Sequence, residues 1–362
     1  MGVLILSYAD VEAALPADQC ERAMASVLAA RARGEAFNPL RSVTTPPGAP
    51  GFMGLMPAYA AGAGAAAGAG AHADGAAHAD GAAHADGAAH ADGAAHADGV
   101  FALKAICLLP GNPARGLDTH QGTVTLFDGE TGVPIAILNA SVVTEIRTAA
   151  VTAVATRALA REDARVLAIL GAGVQGRSHL RALAGVRPWD EVRLFAPTAE
   201  HAHSLAASAP PGMPVALVAS SARDAVQGAD VVVTATSAKQ PVLEHGWLAP
   251  GAHINAVGAS SPSAMEITTE IVAAAALFCD SRESVGAEAG EYRLALQQGA
   301  IPGDGHIRAE LGEVLAGTHA GRADAAELTL FRSLGIGVED LAAAQLAVAT
   351  ARRLGLGTEV EL

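Results

Sequence analysis

The spacing of apolar and polar positions changes along the chain near residue 165. Before that point, short apolar runs predict strands at RSVTT, FMGLMPAY, FALKAICLLPG and GTVTLFD, and DGETG before VPIAILN predicts a hairpin turn. Helical spacing predicts one helix over residues 8–33, with Asp10 as N-cap and Gly34 as stop, and a second over 141–160. This part of the chain is therefore expected to be mostly antiparallel β structure with helices.

After residue 165, strand-like and helix-like segments alternate. The strand segments are RVLAILGAG, EVRLFAP, AVQGADVVVTATS, HINAVGAS and LFCDS, and GVEDLAAAQLAVATARRLG predicts a last amphipathic helix. Such alternation is typical of a parallel sheet covered by helices on both faces. The sequence therefore predicts an α/β fold, and its length of 362 residues allows two domains.

A tandem repeat interrupts the first part of the chain. Five copies of an AHADGA-type unit follow an Ala/Gly tract. These small side chains bury too little apolar area to offset chain entropy, so residues 60–99 are predicted to be a disordered or loosely ordered insertion. A metal-binding or pH-dependent tract is the alternative, because its His and Asp would share one face of an extended strand. The spacing fixes no closed coordination geometry, and we predict no metal site.

Composition excludes several classes of function. Lys and Arg number 23 against 37 Asp and Glu, a formal charge of −14, so no basic patch is available for nucleic acid. The 3 cysteines cannot all pair within the chain, which excludes a disulfide scaffold and fits a reducing compartment. Neither a signal peptide nor an apolar run long enough to span a membrane is recognisable. We expect a cytoplasmic protein with no nucleic-acid or membrane partner.

The segment VLAILGAGVQG carries a cofactor motif. Gly171, Gly173 and Gly176 have G-x-G-x-x-G spacing between a predicted strand and a predicted helix, the context that this motif requires. The glycines allow a tight turn, close approach of a pyrophosphate and close helix packing. Val174 and Gln175 begin the helix, whose free N–H groups favour phosphate. The motif predicts a dinucleotide-binding site; the alternative is a glycine-rich turn without a ligand.

The end of the second strand bears on the choice between NAD and NADP. Ala196, Pro197 and Thr198 stand there, so no acid is present to hold a ribose 2′-hydroxyl and no Arg to hold a 2′-phosphate. Thr198 could contact either form, and the missing carboxylate tips the expectation slightly toward NADP. Thr234 and Thr236, at the carboxyl end of a later strand, are expected to line the nicotinamide-ribose crevice.

The chain resembles the ornithine cyclodeaminase/μ-crystallin family nearly end to end, apart from residues 60–99. The resemblance rests on GLMPAY, ALKA, GNPARGLDTHQG, TEIRTAAVTA, ILGAGVQGRSH, GAHINAVGAS, DS, ELGEV and FRSLGIGVEDL, which stand in the family's order. It implies a Rossmann domain over 143–320 and a smaller β-rich (α+β) domain, formed by 1–142 with 321–362, that binds substrate and makes a homodimer. It also implies hydride transfer between a nicotinamide and the α-carbon of an amino or imino acid.

The same resemblance implies three basic residues in the substrate site. Arg41 and Arg147 would hold the substrate carboxylate, and Lys104 would lie beside its nitrogen or carbonyl. The residue types suit these roles, because a guanidinium pairs with a carboxylate through two hydrogen bonds and a desolvated Lys can act as acid or base. By sequence alone, Arg147 would face solvent or pair with Glu145 or another acid, and Lys104 could belong to an edge strand.

Further residues follow from the resemblance. Ser260 stands where cyclodeaminases of the ornithine type carry an Asp, whereas ketimine reductases of the μ-crystallin type carry a Ser there. A hydroxyl is no general base near neutral pH. Val257 and Ser333 are expected to contact the cofactor. Glu266 would cap a helix, face solvent or act as an alternative acid. Judged from the residues alone, His120 in DTHQG could be a catalytic acid or a turn residue bonded to backbone.

The expected function is NAD(P)H-dependent reduction of a small cyclic ketimine carboxylate, such as Δ1-pyrroline-2-carboxylate or Δ1-piperideine-2-carboxylate. The enzymatic alternatives are a cyclodeaminase of ornithine or a related diamino acid, and an alanine dehydrogenase. A non-catalytic protein that holds NADP and a small ligand is the alternative from another class.

Overall fold

The computed structural model describes residues 2–62 and 99–361. The repeat insertion predicted for residues 60–99 lies outside these ranges except at its edges, and so do the predictions made for it. The described residues form two sheets, named here sheet 1 and sheet 2. Among residues 2–62 and 99–361, no helix is both long and apolar enough to cross a membrane.

Sheet 1 is built mainly from the first part of the chain. Its strands are β1 (Gly2–Leu6), β2 (Ala36–Phe37), β3 (Ser42–Thr44), β4 (Phe52–Ala60), β5 (Val100–Leu108), β6 (His120–Asp128), β7 (Pro134–Asn139) and β16 (Thr358–Glu361). The order is β16-β1-β7-β6-β5-β4-β2, with β3 also paired to β4. Pairing is antiparallel except between β1 and β7, which confirms the predicted antiparallel part. The sequence pattern did not predict β1 or the exposed edge strand β16.

Sheet 2 is wholly parallel. Its strands are β8 (Val166–Leu170), β9 (Glu191–Phe195), β10 (Leu217–Val218), β11 (Val231–Thr234), β12 (His253–Ala256), β13 (Ala276–Cys279), β14 (Ile307–Glu310) and β15 (Thr329–Arg332). The order is β10-β9-β8-β11-β12-β15-β13-β14 and every pair is parallel. The predicted α/β fold with a parallel Rossmann-type sheet is confirmed.

One strand lies in a different sheet from the one predicted. Residues 321–362 were expected to join the β-rich domain, yet β15 pairs with β12 on one side and β13 on the other, inside sheet 2. All four residues of β15 are buried, as is typical of a parallel strand that is covered on both faces. The chain therefore returns to sheet 1 only after residue 332.

The helices cover both sheets. They are α1 (Tyr8–Ala14), α2 (Ala17–Ala32), α3 (Ala140–Leu159), α4 (Val174–Leu183), α5 (Ala199–Ala207), α6 (Ala222–Val226), α7 (Thr269–Ala274), α8 (Arg282–Glu288), α9 (Gly290–Gln297), α10 (Leu311–Leu315) and α11 (Gly337–Leu354). The single helix predicted over residues 8–33 is two, because Pro16 cannot continue α1. Ser7, not Asp10, is the N-cap of α1, and Asp10 completes its capping box.

Two long helices join the sheets. Residues of α3 and α11 belong to the core that covers the inner face of sheet 1, and this core also contains Phe278 and Phe331 from sheet 2. Along β5 the even-numbered residues face this core and the odd-numbered ones face away from it, as a pleated strand requires. Side chains from β5, α3 and α11 therefore point into one interior space, close to the carboxyl ends of β13 and β15.

Candidate active site

Lys104 is a buried cation on the inner face of sheet 1. It lies at an inward position of β5 with 2% of its surface exposed, and its Nζ donates to Asp340 Oδ1 at 3.0 Å. A lysine is rarely buried to this extent without a partner. Burial lowers the pKa of Lys104 to about 8, although the Asp340 carboxylate opposes the shift. Lys104 can therefore change its protonation state near neutral pH, as an acid or base must.

Arg147 reaches the same carboxylate from α3. Its Nε donates to Asp340 Oδ1 at 3.1 Å and its Nη1 to Glu339 Oε2 at 2.8 Å. Burial alone would lower the pKa of Arg147, but Asp340 and Glu339 raise it, so the side chain stays charged. The alternative partner considered from sequence, Glu145, instead accepts a hydrogen bond from Tyr8 at 3.2 Å.

Two consecutive acids at the start of α11 complete this ion cluster. Burial acts against the ionisation of Asp340, but Arg147 and Lys104 hold the pKa of its carboxyl below the usual range. Burial raises the pKa of Glu339 to about 8, and Asp280 and Asp340 add to the shift. Sequence reasoning missed both acids, because acidic residues in the first turn of a helix are ordinary and usually exposed.

Arg41 is held inside the protein by a second carboxylate. Its Nη2 donates to the backbone oxygens of Leu334 at 2.6 Å and Gly335 at 3.1 Å, and it forms an ion pair with Glu288 Oε2 at 2.8 Å. Asp280, directly after β13, accepts from the N–H groups of Leu334 and Gly335, each at 2.6 Å. The loop after β15 is thus fixed from both sides. Asp280 and Glu288 were also missed from sequence.

The same loop brings the two predicted carboxylate-binding arginines close together. Gly335 has φ of 76°, and a Cβ atom there would lie 2.6 Å from the Arg147 guanidinium. Only glycine allows this backbone conformation and this approach without strain. Arg41 and Arg147 therefore lie against one loop, and Arg41 is close enough to Lys104 to oppose its protonation. The structure thus brings Arg41, Lys104 and Arg147 together.

The predicted dinucleotide motif has the geometry that a pyrophosphate requires. Gly171, after β8, has φ of 113°, and a Cβ there would collide with the backbone oxygen of Ala235. Gly173 is the N-cap of α4, no side chain caps that end, and its own surroundings are open. A Cβ on Gly176 would collide with Gly171. The residues present therefore fit a dinucleotide at the free N-terminus of α4.

Four further residues predicted to bind the cofactor lie on the loops after β8, β9 and β12 or at the helix starts that follow them. Val174 is exposed and Gln175 is half-buried, with Gln175 Oε1 buried and without a hydrogen-bond partner among the described residues. Thr198 is the exposed N-cap of α5. Val257 follows β12, and its N–H donates to the Thr234 oxygen at 3.0 Å.

A buried carboxylate, Glu266, uses the polar groups of two predicted cofactor residues. Thr234 donates its hydroxyl to Glu266 Oε2 at 3.0 Å, and Thr236 donates its hydroxyl and N–H to Oε1 at 2.8 and 2.7 Å. Glu266 is 1% exposed and also accepts from the N–H of Gly258. The Thr234 side chain is therefore buried rather than presented to the crevice, and Glu266 neither caps a helix nor faces solvent. It instead joins the ends of β11 and β12.

Ser333 and Ser260 lie on different loops at the carboxyl edge of sheet 2. Ser333, after β15, is 2% exposed, and its hydroxyl has no hydrogen-bond partner among the described residues. Ser260 is exposed on the loop after β12. The buried guanidinium of Arg332 links these loops, since it donates to the backbone oxygens of Ser333 and Ala259 and pairs with Glu291.

His120 is a neutral neighbour of the cluster. It begins β6 and lies on the same face of sheet 1 as Lys104. Burial, and then the positive charges of Lys104 and Arg147, lower the pKa of His120 to about 4. An imidazole that is neutral at pH 7 has no proton to give as an imidazolium, which weighs against a catalytic-acid role for His120.

The sequence of the chain is similar to those of known proteins. A profile of the ornithine cyclodeaminase/mu-crystallin family matches residues 86–353. Ketimine reductase mu-crystallin of Mus musculus is 36% identical over 313 residues, 86% of this chain and 85% of that protein.

Solved structures resemble the whole chain. Delta(1)-pyrroline-2-carboxylate reductase of Thermococcus litoralis, in complex with NADH and L-proline, is 31% identical with a TM-score of 0.85, and the match covers 99% of this chain and 100% of that one. An archaeal alanine dehydrogenase dimer with bound NAD is 28% identical with a TM-score of 0.84, over 100% of both chains.

Proposed function

Because the chain belongs to the ornithine cyclodeaminase/mu-crystallin family, we propose that it is an NAD(P)H-dependent reductase of a small cyclic ketimine carboxylate. Δ1-Pyrroline-2-carboxylate and Δ1-piperideine-2-carboxylate are the proposed substrates. The observation that carries the proposal is the buried cluster of Arg41, Lys104 and Arg147 beside the carboxyl ends of β13 and β15. It lies in a chain that matches a Δ1-pyrroline-2-carboxylate reductase over almost its full length.

The two arginines bind the substrate carboxylate. Two guanidinium groups from different elements can hold a carboxylate in one orientation through charge-assisted hydrogen bonds. This orientation presents one face of the planar C=N group, and hydride transfer needs such a fixed geometry. Arg41 must exchange its pairing with Glu288 for the substrate, whereas Arg147 keeps Asp340 as a partner.

Lys104 supplies the proton. Reduction adds a hydride to the imine carbon and a proton to the imine nitrogen, and a bound reduced nicotinamide supplies the hydride. The Lys104 ammonium gives one proton to the nitrogen, is left as a neutral amine, and takes a proton from water before the next turnover. Ser260, an exposed hydroxyl, offers a hydrogen bond but no base, which weighs against cyclodeamination of ornithine.

The dinucleotide would lie along the carboxyl edge of sheet 2. Its pyrophosphate is assigned to the glycine turn and the N-terminus of α4, and the remaining contacts to residues along the same edge: Gly171, Gly173, Val174, Gln175, Gly176, Thr198, Thr236, Val257 and Ser333. NAD or NADP would fit, and the absence of an acid after β9 favours NADP, since a carboxylate there would repel a 2′-phosphate.

The protein is proposed to act as a homodimer in the cytoplasm. The outer face of sheet 1 bears apolar side chains that no helix within residues 2–62 and 99–361 covers, among them Met53 at 45% and Phe101 at 47% exposure. We assign a second copy to this face, because the related archaeal alanine dehydrogenase is described as a dimer. Phe101→Glu should then give monomers in sedimentation velocity, while Val215→Glu, at an 87% exposed apolar position elsewhere, should not.

The cysteines Cys20, Cys107 and Cys279 are free thiols, which suits a reducing compartment.

The domain division is proposed with one revision. The Rossmann domain would run from residue 143 to the end of β15, and the substrate and dimerisation domain would comprise residues 1–142 with the segment from residue 333 onward.

The function is tested by the absorbance of the reduced nicotinamide. Enzyme is mixed with Δ1-pyrroline-2-carboxylate and either NADH or NADPH, and loss of the band is followed. Consumption with NADPH faster than with NADH is expected. Lys104→Met should abolish it, whereas Lys239→Met, which changes an exposed lysine, should leave it intact. No consumption with either cofactor, together with ammonia release from L-ornithine, would overturn the reductase in favour of a cyclodeaminase.

A further inference from the structure

We propose that Asp340 is the positioning residue of this reaction: one of its carboxylate oxygens fixes Lys104 and Arg147 relative to each other and keeps Lys104 charged. The inference rests on the proposed function, since it assigns Asp340 a part in proton delivery by Lys104. It differs from the assignment of the three basic residues, because Asp340 acts through them rather than on the substrate.

The geometry supports a bridging role. Asp340 Oδ1 accepts from Lys104 Nζ at 3.0 Å and from Arg147 Nε at 3.1 Å, so a single atom sets the separation of the two cations. The three side chains come from β5, α3 and α11, and each is at least 95% buried. The proposed proton donor and the proposed carboxylate-binding group are therefore placed by one carboxylate.

The charges around Lys104 explain why this carboxylate is needed. The titratable or charged groups that act on Lys104 are Arg41 from the loop before β3, His120 from β6, Arg147 from α3 and Asp340 from α11, and Glu339 of α11 is a partner of Arg147. The positive charges of Arg41 and Arg147 disfavour the protonated form of Lys104. His120 is neutral and adds no charge. Glu339 pairs with the Arg147 guanidinium at 2.8 Å and forms no ion pair with Lys104. Asp340 is therefore the group that holds the positive charge on Lys104.

The position of Asp340 also explains why it stays ionised. It lies in the first turn of α11, where the helix dipole favours negative charge, and two cations contact it. An ammonium has three N–H donors, and Asp340 takes one of them. No other side chain or backbone oxygen of residues 2–62 and 99–361 accepts from Lys104 Nζ, so a further N–H can reach a substrate nitrogen.

Asp340→Asn tests the charge. The Asn side chain has nearly the same shape but no charge, so the Lys104 ammonium should lose its proton more easily. The alkaline limb of kcat/KM, expected near pH 8 in the unmodified protein, should then move down by about one to three pH units. Glu339→Gln is the matched control, because Glu339 contacts Arg147 but not Lys104. It should leave the alkaline limb at the same pH.

Nuclear magnetic resonance measures the protonation of Lys104 Nζ without requiring turnover. Lys104 and Lys239 are the lysines of this chain, so protein labelled with ¹³C-lysine gives resolvable Cε signals that report Nζ protonation. Lys239→Arg assigns them. The midpoint of the Lys104 titration should fall in Asp340→Asn and stay near 8 in Glu339→Gln. This measurement separates the two proposals, because it remains valid even if the unmodified protein reduces no ketimine.

Asp340→Glu tests the position and also serves if Asp340→Asn does not fold. It keeps the charge but moves the bridging oxygen by one methylene, so the titration of Lys104 should be retained while kcat falls at least tenfold. An alkaline limb or Lys104 titration that is unchanged in Asp340→Asn would overturn the charge role. Unchanged kcat in Asp340→Glu would overturn the bridging role.

Discussion

The ion pair between Arg41 and Glu288 makes a specific prediction about substrate affinity. Both side chains are largely buried, at 16% and 13% exposure, and the charged atoms are 2.8 Å apart. If Arg41 binds the substrate carboxylate, Glu288 competes with the substrate for the same guanidinium. Glu288→Gln removes the competing charge while preserving the shape of the side chain. The variant should therefore bind substrate more tightly than the unmodified protein.

The size of the effect follows from the contact. A hydrogen bond to a charged group contributes about 1.5–3 kcal/mol, and a Gln amide oxygen retains part of it. A net difference of about 1.4 kcal/mol corresponds to about a tenfold decrease in KM. Glu283→Gln, an exposed position on the same helix α8, is the matched control and should leave KM unchanged.

The pH dependence of KM tests the same competition between Glu288 and the substrate for Arg41. Burial raises the pKa of Glu288 above its usual value, although Arg41 opposes the shift. As the pH falls through this raised pKa, Glu288 takes up a proton and releases Arg41. The KM of the unmodified protein should then decrease toward acidic pH, and Glu288→Gln should lose this dependence.

Steady-state kinetics with Δ1-pyrroline-2-carboxylate between pH 5 and 9 measure both effects. Each variant is compared with the unmodified protein on the same substrate, so the ionisation of the imine itself cancels. A higher KM in Glu288→Gln would show that Glu288 orients Arg41 rather than competing for it. An unchanged KM with the same pH dependence would remove Arg41 from the substrate site.

Two further predictions concern the parallel sheet. Gly171→Ala places a Cβ against the Ala235 backbone oxygen at φ of 113°, which should cost about 1–3 kcal/mol and weaken dinucleotide binding at least tenfold in a fluorescence titration; unaltered binding would contradict the proposed pyrophosphate site. Glu291→Leu leaves the buried Arg332 cation without its anion and should cost about 3–5 kcal/mol in urea denaturation. Glu283→Leu, at an exposed position, should stay within about 0.5 kcal/mol, and equal losses for both would contradict the ion-pair argument.

Local sequence patterns determined most of the secondary structure. The alternation of apolar strands with helices after residue 165 predicted a parallel sheet, and the glycine motif predicted its cofactor edge. These features depend on spacing within about 30 residues, so they are visible without a fold. The break at Pro16 and the strand at Gly2–Leu6 were missed, although both signals were local. The resemblance to a family, not the pattern, singled out Arg41, Lys104 and Arg147.

Tertiary structure alone decided which charges meet. Lys104 and Asp340 are 236 positions apart, and Arg41 and Leu334 are 293 apart. Charged residues at such separations carry no periodic signal, and Glu339 and Asp340 look like ordinary acids of a first helical turn. Their partners are set by the packing of α3 and α11 between two sheets. β15 lies in sheet 2, where one hydrophobic core covers Phe331 on one face and another covers Leu330 on the other. Burial then makes each unpaired charge costly, so the fold itself dictates the ion pairs of the site.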